Sequence, residues 1–288
     1  MNINEKITLR KNKIVFIASY MKSGNTWMRS IICSLLNNGK FNLEDLKKIK
    51  LFSQEVYFSS LKGLEYQKDG NLDFNFISKN WINAQKLINQ NSNDEIKFFK
   101  THNIRGKINN NYFTDESVCS GFVYLIRDPR DICISLAKHM SIDIDDSIDI
   151  MLNQKNFVTN VFKVNEAVCT WQEHIESWVN FKGVPRLILR YEDMLSDNKH
   201  IMDQIVNFLN IIYNNSIKID QGTITKTIEK TKFNNLKQME NVNGFAEATN
   251  NNFFRKGKTK QWEKILSNKQ KTLIENKLGN IMLKLGYL

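Results

Sequence analysis

The chain has 288 residues, 41% hydrophobic and 25% charged, the proportions of a soluble globular protein with room for one substantial core. No apolar run approaches the ~20 residues of a membrane span, and the opening MNINEKITLRKNK lacks the apolar centre of a signal peptide, so a cytoplasmic protein is expected. The net charge of +11 invites an anionic partner, yet no five-residue basic run occurs. It reads as general surface plus an anion site, with no nucleic-acid or membrane partner expected.

In chain order, residues 14–18 form a short β-branched apolar run, the pattern of a strand covered on both faces. Apolar pairs then recur at Trp27 and Met28, Ile31 and Ile32, Leu35 and Leu36, which predicts a helix over 27–37. Between them lies Lys22-Ser23-Gly24-Asn25-Thr26. Such a loop presents free N–H groups and a positive dipole end to a phosphate or sulfate, and Gly24 lets the backbone approach it. It is no Walker A, because Lys22 precedes the only glycine.

Residues 41–95 carry weak periodicity and many aromatics, among them Phe52, Phe58, Phe76 and Trp81, which suit either packing on a sheet or a wall of an acceptor pocket. A second strand over 96–100 ends in Lys100-Thr101-His102, which puts an imidazole at the sheet's edge. A third, over 122–126, runs into Arg127-Asp128-Pro129-Arg130-Asp131, with a helix from about 131 to 140 that carries Ser135. The acidic residues of 141–150 read as a solvated turn or helix start, not a metal site. A long helix is expected over 164–181, a fourth strand over 187–191, and a helix over 196–211 capped by Ser196 or Asp197. The Asn-rich stretch 240–252 reads as a mobile loop.

The four cysteines form no CxxC pair and read as buried thiols; no metal is expected. Alternating strands and helices predict a single α/β domain over 1–288, a parallel sheet flanked by helices, with its ligand beyond the carboxyl ends of the strands.

The run Tyr20-Met21-Lys22-Ser23-Gly24-Asn25-Thr26-Trp27 resembles the 5′-phosphosulfate loop of the PAPS-dependent sulfotransferases (PAPS, 3′-phosphoadenosine 5′-phosphosulfate), which reads close to Tyr-Pro-Lys-Ser-Gly-Thr-Thr-Trp. Here Met21 replaces the Pro and Asn25 one Thr, so one phosphate contact is either lost or made by the Asn25 amide. Four further segments match in order. Lys100-Thr101-His102 is similar to the segment that holds the catalytic base. Arg127-x-Pro-x-Asp with Ser135 is similar to the 3′-phosphate motif, and Tyr191-Glu192-Asp193 to a nucleotide-side motif. Phe254-Arg255-Lys256-Gly257 with Trp262 is similar to the element closing over the 3′-phosphate. Thr231-Lys232-Phe233 is a shorter match to the element flanking the adenine.

The resemblance implies a P-loop-nucleotide-kinase-like sulfotransferase fold and transfer of a sulfuryl group from PAPS to a hydroxyl or amine of a small organic acceptor, leaving PAP. It implies His102 as base, Lys22 at the bridging oxygen, Lys100 beside the moving group, and Ser135 restraining Lys22. It also implies a nucleotide held by residues 22–27, Arg127, Ser135, Tyr191, Thr231, Phe233 and 254–257. The competing readings are a P-loop-like kinase or hydrolase and a non-catalytic nucleotide- or RNA-binding module. The family's C-terminal dimer motif is not found after Trp262, so monomer and dimer both stay open.

Overall fold

The computed structural model describes residues 12–93, 95–154, 158–161, 164–248, 253–254 and 256–288. Its central strand, β1 (Ile14–Ser19), is buried along its whole length, as an unbroken apolar run requires. It leads through residues 20–24 into α1 (Asn25–Leu36). A 3-10 turn at Leu43–Lys48 precedes the edge strand β2 (Lys50–Leu51). Next come α2 (Phe74–Gln90), β3 (Lys97–Thr101), the small hairpin β4 (Lys107–Ile108) and β5 (Asn111–Tyr112), and β6 (Cys119–Ile126). Then follow α3 (Pro129–Met140), α4 (Ile144–Asn153), and the hairpin of β7 (Val158–Val161) and β8 (Val164–Ala167). The chain continues with α5 (Trp171–Val179), β9 (Arg186–Arg190), α6 (Tyr191–Ser196), α7 (Asn198–Ile212) and α8 (Gln221–Lys230). It closes with α9 (Phe233–Asn243), α10 (Trp262–Ile265) and α11 (Asn268–Lys284).

Five strands form one sheet in the order β2-β3-β1-β6-β9, all pairs parallel. Side chains alternate across β1 and so feed two cores. Ile14, Phe16 and Ala18 face a cluster with Trp81, Phe113, Phe122, Trp171 and Trp178. Val15 and Ile17 face the other side, against Met28, Ile31 and Ile32 of α1 and Ile205, Phe208 and Leu209 of α7. The order reverses at β1, between β3 and β6. Crevices of α/β sheets lie at such a switch point, and the segments after β1, β3, β6 and β9 gather there.

All four strand candidates lie in the sheet, and Asp197 caps α7, accepting from His200 N–H at 3.1 Å. Three expectations are corrected. The helix expected over 164–181 is a strand up to Ala167 and a helix only from Trp171, where Thr170 and Glu173 form a capping box. α3 begins at Pro129, two residues earlier than expected, because Asp128 caps it and Pro suits the first helical position. The stretch 240–252 is not a free loop where it is described. Residues 240–243 finish α9, and Glu240 accepts the N–H groups of Phe253 and Phe254 at 2.5 and 2.8 Å.

Phe52, Phe58, Phe76 and Trp81 are buried packing residues, whereas Tyr66 is exposed, and Phe16, Phe52, Phe99 and Phe113 meet mostly edge to face. Among the described residues no helix is long and apolar enough to cross a membrane. The four cysteines are free and buried.

Candidate active site

A cavity of about 1500 Å³ opens over the carboxyl ends of β1, β3, β6 and β9. Its wall brings together Lys22, Gly24, Asn25, Thr26, Trp27, Lys100, His102, Arg127, Ser135, Tyr191, Phe233, Phe254, Lys256 and Gly257. Two predicted residues lie behind the wall. Ser23 is fully buried, and its Oγ has no protein partner. Thr231 is buried too; its carbonyl accepts the Trp27 indole N–H at 2.9 Å and its hydroxyl donates to Thr227 O, so it fixes Trp27 and does not face the cavity. Arg255 lies outside the described residues.

The anion loop is held by a tight turn. Lys22 and Gly24 both have positive φ, 64° and 98°. The first helical bond of α1 runs from Met28 N–H to Gly24 O, so the N–H groups of Asn25 to Trp27 have no helical acceptor. A Cβ on Gly24 would stand 2.6 Å from Cδ2 of Tyr191. The Tyr191 ring therefore lies directly on the loop, with the Arg127 guanidinium 4.4 Å from its centroid and Trp27 edge-on at 5.8 Å. The Asn25 amide is not a phosphate donor: Nδ2 donates to Ile17 O at 2.9 Å and to Ser19 Oγ at 3.2 Å. Both bonds point the amide back at β1 and away from the loop.

Arg127 joins two walls. Nη1 donates to Lys22 O at 3.0 Å and Nη2 to Lys258 O at 3.2 Å, with Asp131 3.8 Å away. The same element holds the C-terminal segment twice more. Asp131 Oδ1 accepts the Trp262 N–H at 3.2 Å, and the Arg130 guanidinium stacks 3.8 Å from the Trp262 ring centroid. Glu192 links the next motif, accepting Asp128 N–H at 3.1 Å and the Tyr287 hydroxyl at 2.9 Å. The segments after β1, β6 and β9 and the segment 256–262 thus form one bonded frame.

His102 faces the cavity half-buried. Its Nδ1 lies 2.8 Å from Ser19 O. A carbonyl only accepts, so Nδ1 carries the proton and the neutral ring keeps a bare Nε2. Desolvation, then the charge of Lys100, hold its pKa well below the usual histidine value. His139, also on the wall, is held at about 4 by burial and by Lys22 and Lys100.

Four contributors carried no readable signal. Arg29, in the apolar helix run, reaches across to Glu247 at 2.5 Å, and Glu247 also pairs with Lys100 at 3.0 Å. Burial alone would raise the Glu247 pKa; the two cations reverse that and hold it at about 2. Glu166 Oε1 accepts His102 N–H at 2.9 Å and the Thr101 hydroxyl at 3.1 Å. His139 falls inside α3 with no pattern to mark it. From 41–95 the wall takes Leu43, Leu46, Lys47, Lys50 and Gln54 instead of aromatics.

Comparison with known proteins gives one family. The sulfotransferase domain matches residues 12–284. Sulfotransferase 1B1 of Canis lupus familiaris is 24% identical over 257 residues, 86% of this chain and 76% of that protein. Sulfotransferase 1E1 of Bos taurus is 26% identical over 266 residues, 90% and 79% of the two chains. Among solved structures, retinol dehydratase in complex with retinol and PAP superposes with a TM-score of 0.59 at 19% identity, covering 94% of this chain and 81% of that one.

Proposed function

We propose, from the premise that this chain belongs to the sulfotransferase family, that it transfers a sulfuryl group from PAPS to a hydroxyl or amine of a small organic acceptor, with His102 as general base. One observation carries the assignment. Ser19 O engages the protonated ring nitrogen of His102, so the bare Nε2 is the nitrogen left for the acceptor, in the same cavity as Lys22, Lys100 and the N-terminus of α1.

The bond from sulfur to the 5′-phosphate oxygen breaks as the bond from sulfur to the acceptor oxygen or nitrogen forms. His102 Nε2 takes the acceptor's proton. Lys22 and the free N–H groups of residues 25–27 stabilise the charge that develops on the leaving phosphate. Lys100 holds the sulfuryl oxygens once it is released from Glu247. Ser135 faces the same cavity and restrains Lys22 until the acceptor arrives. At the nucleotide's other end, Arg127, Ser135, Lys256 and Gly257 take the 3′-phosphate, and Trp27, Tyr191 and Phe233 supply aromatic faces for the adenosine. The buried Ser23 hydroxyl lacks a protein acceptor, which fits a loop built around an anion.

The test is incubation with ³⁵S-labelled PAPS and pooled phenols, alcohols and amines, alongside thermal unfolding with PAP and with ATP plus Mg²⁺. Labelled organic product and stabilisation by PAP are expected. Stabilisation by ATP plus Mg²⁺ alone, with no labelled product, overturns the reading.

A further inference from the structure

Behind His102, out of the cavity, lie two buried polar side chains that the transfer mechanism does not use. His174 Nε2 is 3.1 Å from His102 O, and His174 Nδ1 is 2.7 Å from the Tyr124 hydroxyl. Both residues are fully buried, and neither lines the cavity. The Tyr124 ring stacks on His174 at 5.7 Å and on Trp178 at 6.0 Å, and Tyr20 meets His174 edge-on at 5.6 Å. Burial holds the His174 pKa at about 3, so the ring is neutral.

The proton on that neutral ring has one place to be. His102 O only accepts, so Nε2–H of His174 donates to it, and the bare Nδ1 accepts from the Tyr124 O–H. His102 has the opposite form, with its proton on Nδ1. The two rings therefore carry complementary tautomers, each set by a carbonyl.

Resting on the reading of His102 as base, we propose that Tyr124 and His174 are positioning residues: a hydrogen-bond relay that fixes the His102 peptide from behind and so aims its Nε2. Glu166 closes the other side by accepting the His102 N–H at 2.9 Å. The N–H, the C=O and the ring of His102 are then each held by a different element: β8, α5 and β1. A buried imidazole–phenol pair costs desolvation that an apolar pair of the same size avoids, and its bonds add direction that packing alone lacks. Direction matters here, because misplacing a base by about an ångström is enough to slow transfer by up to about a hundredfold.

The chain has four histidines, so their imidazole ¹⁵N signals are separable. The wild type is expected to show His174 protonated on Nε2 and His102 on Nδ1. Tyr124→Phe keeps the stacked ring and removes only the O–H. It should mix the His174 tautomers, shift the His102 signals, and slow ³⁵S transfer from PAPS to the pooled phenols, alcohols and amines about tenfold or more, with PAP affinity within about twofold. His174→Gln keeps an N–H donor near the Nε2 position and should retain more transfer than His174→Leu. Three outcomes overturn the relay: His174 protonated on Nδ1 in the wild type, unchanged His102 signals in His174→Leu, or wild-type transfer matched by Tyr124→Phe and His174→Leu alike. Normal transfer by His102→Ala, or none by the wild type, strikes instead at the base assignment on which the relay rests.

Discussion

Gly257 lies flush against the ring of Phe233: a Cβ built on the glycine would stand 2.2 Å from Cδ2, and its φ of 57° is one that side chains rarely adopt. Two separate segments, 231–233 and 256–258, meet at this one point with no atom to spare. Gly257→Ala must push either Phe233 out of the wall or Lys258 away from Arg127. PAP affinity is expected to fall at least about tenfold, with a smaller loss of thermal stability. Isothermal titration with PAP checks it, and an unchanged affinity would show that the contact does not shape the nucleotide site.

His102→Ala removes the bare ring nitrogen and leaves the anion loop intact. Turnover should drop by about two orders of magnitude or more while PAP still binds. His139→Ala, which removes the other imidazole on the wall, separates the two candidates: a larger loss there than in His102→Ala would reassign the base.

The pH profile tests the charges around His102. The ring is neutral below the usual histidine range, so the acidic limb of kcat/KM should lie under pH 6.5. Lys100 disfavours the imidazolium and Glu247 favours it. Lys100→Met should therefore move the limb up in pH and Glu247→Gln should move it down. Shifts in the same direction would contradict this arrangement.

Arg127 Nη1 and Nη2 hold carbonyls on two different walls. Arg127→Ala should weaken PAP binding about tenfold or more, and AMP binding by less, since AMP lacks the 3′-phosphate. Arg127→Lys should fail to restore it, because one ammonium does not reach both carbonyls in a planar fork. Equal losses for both nucleotides would remove Arg127 from the 3′-phosphate.

Acid should loosen the fold through His174. Its folded pKa, about 3, lies below the unfolded value of 6.5. Between these values the unfolded chain binds the extra proton, so stability is lost as pH falls below 6.5. From pH 7 to pH 5 this site alone should cost about 2 kcal/mol. Urea unfolding of wild type and His174→Gln at both values checks it; equal losses in the two proteins would contradict a neutral buried ring.

The sheet was legible because each of its long strands is an apolar run that ends in a polar motif, as β1 does at Lys22 and β6 at Arg127. The 164–181 misreading has a physical cause. Val164, Val168, Trp171, Ile175 and Trp178 keep turn spacing although a strand and a helix share them, since one core receives both. The Thr170-x-x-Glu173 capping box was the signal that marked the true start. Arg29, Glu247 and Glu166 were not legible, because each acts on a partner from 64 to 218 residues away and no local pattern announces such a meeting. Lys22, Lys100, His102, Arg127 and Tyr191 could be placed on the cavity wall from the sequence because each follows or closes a strand at its carboxyl end.

Glu247 already answers the cations of Arg29 and Lys100. A lone sulfate or phosphate aimed at these two cations would meet a resident carboxylate tethered to the same chain, whereas the N–H groups of residues 25–27 have no helical acceptor to displace. Under the proposed function, a donor that also reaches Arg127 and Tyr191 would bring the further contacts that turn this exchange in its favour. On that reading the carboxylate screens the two cations beside the transferring group, and the reach of the whole donor would be what frees them.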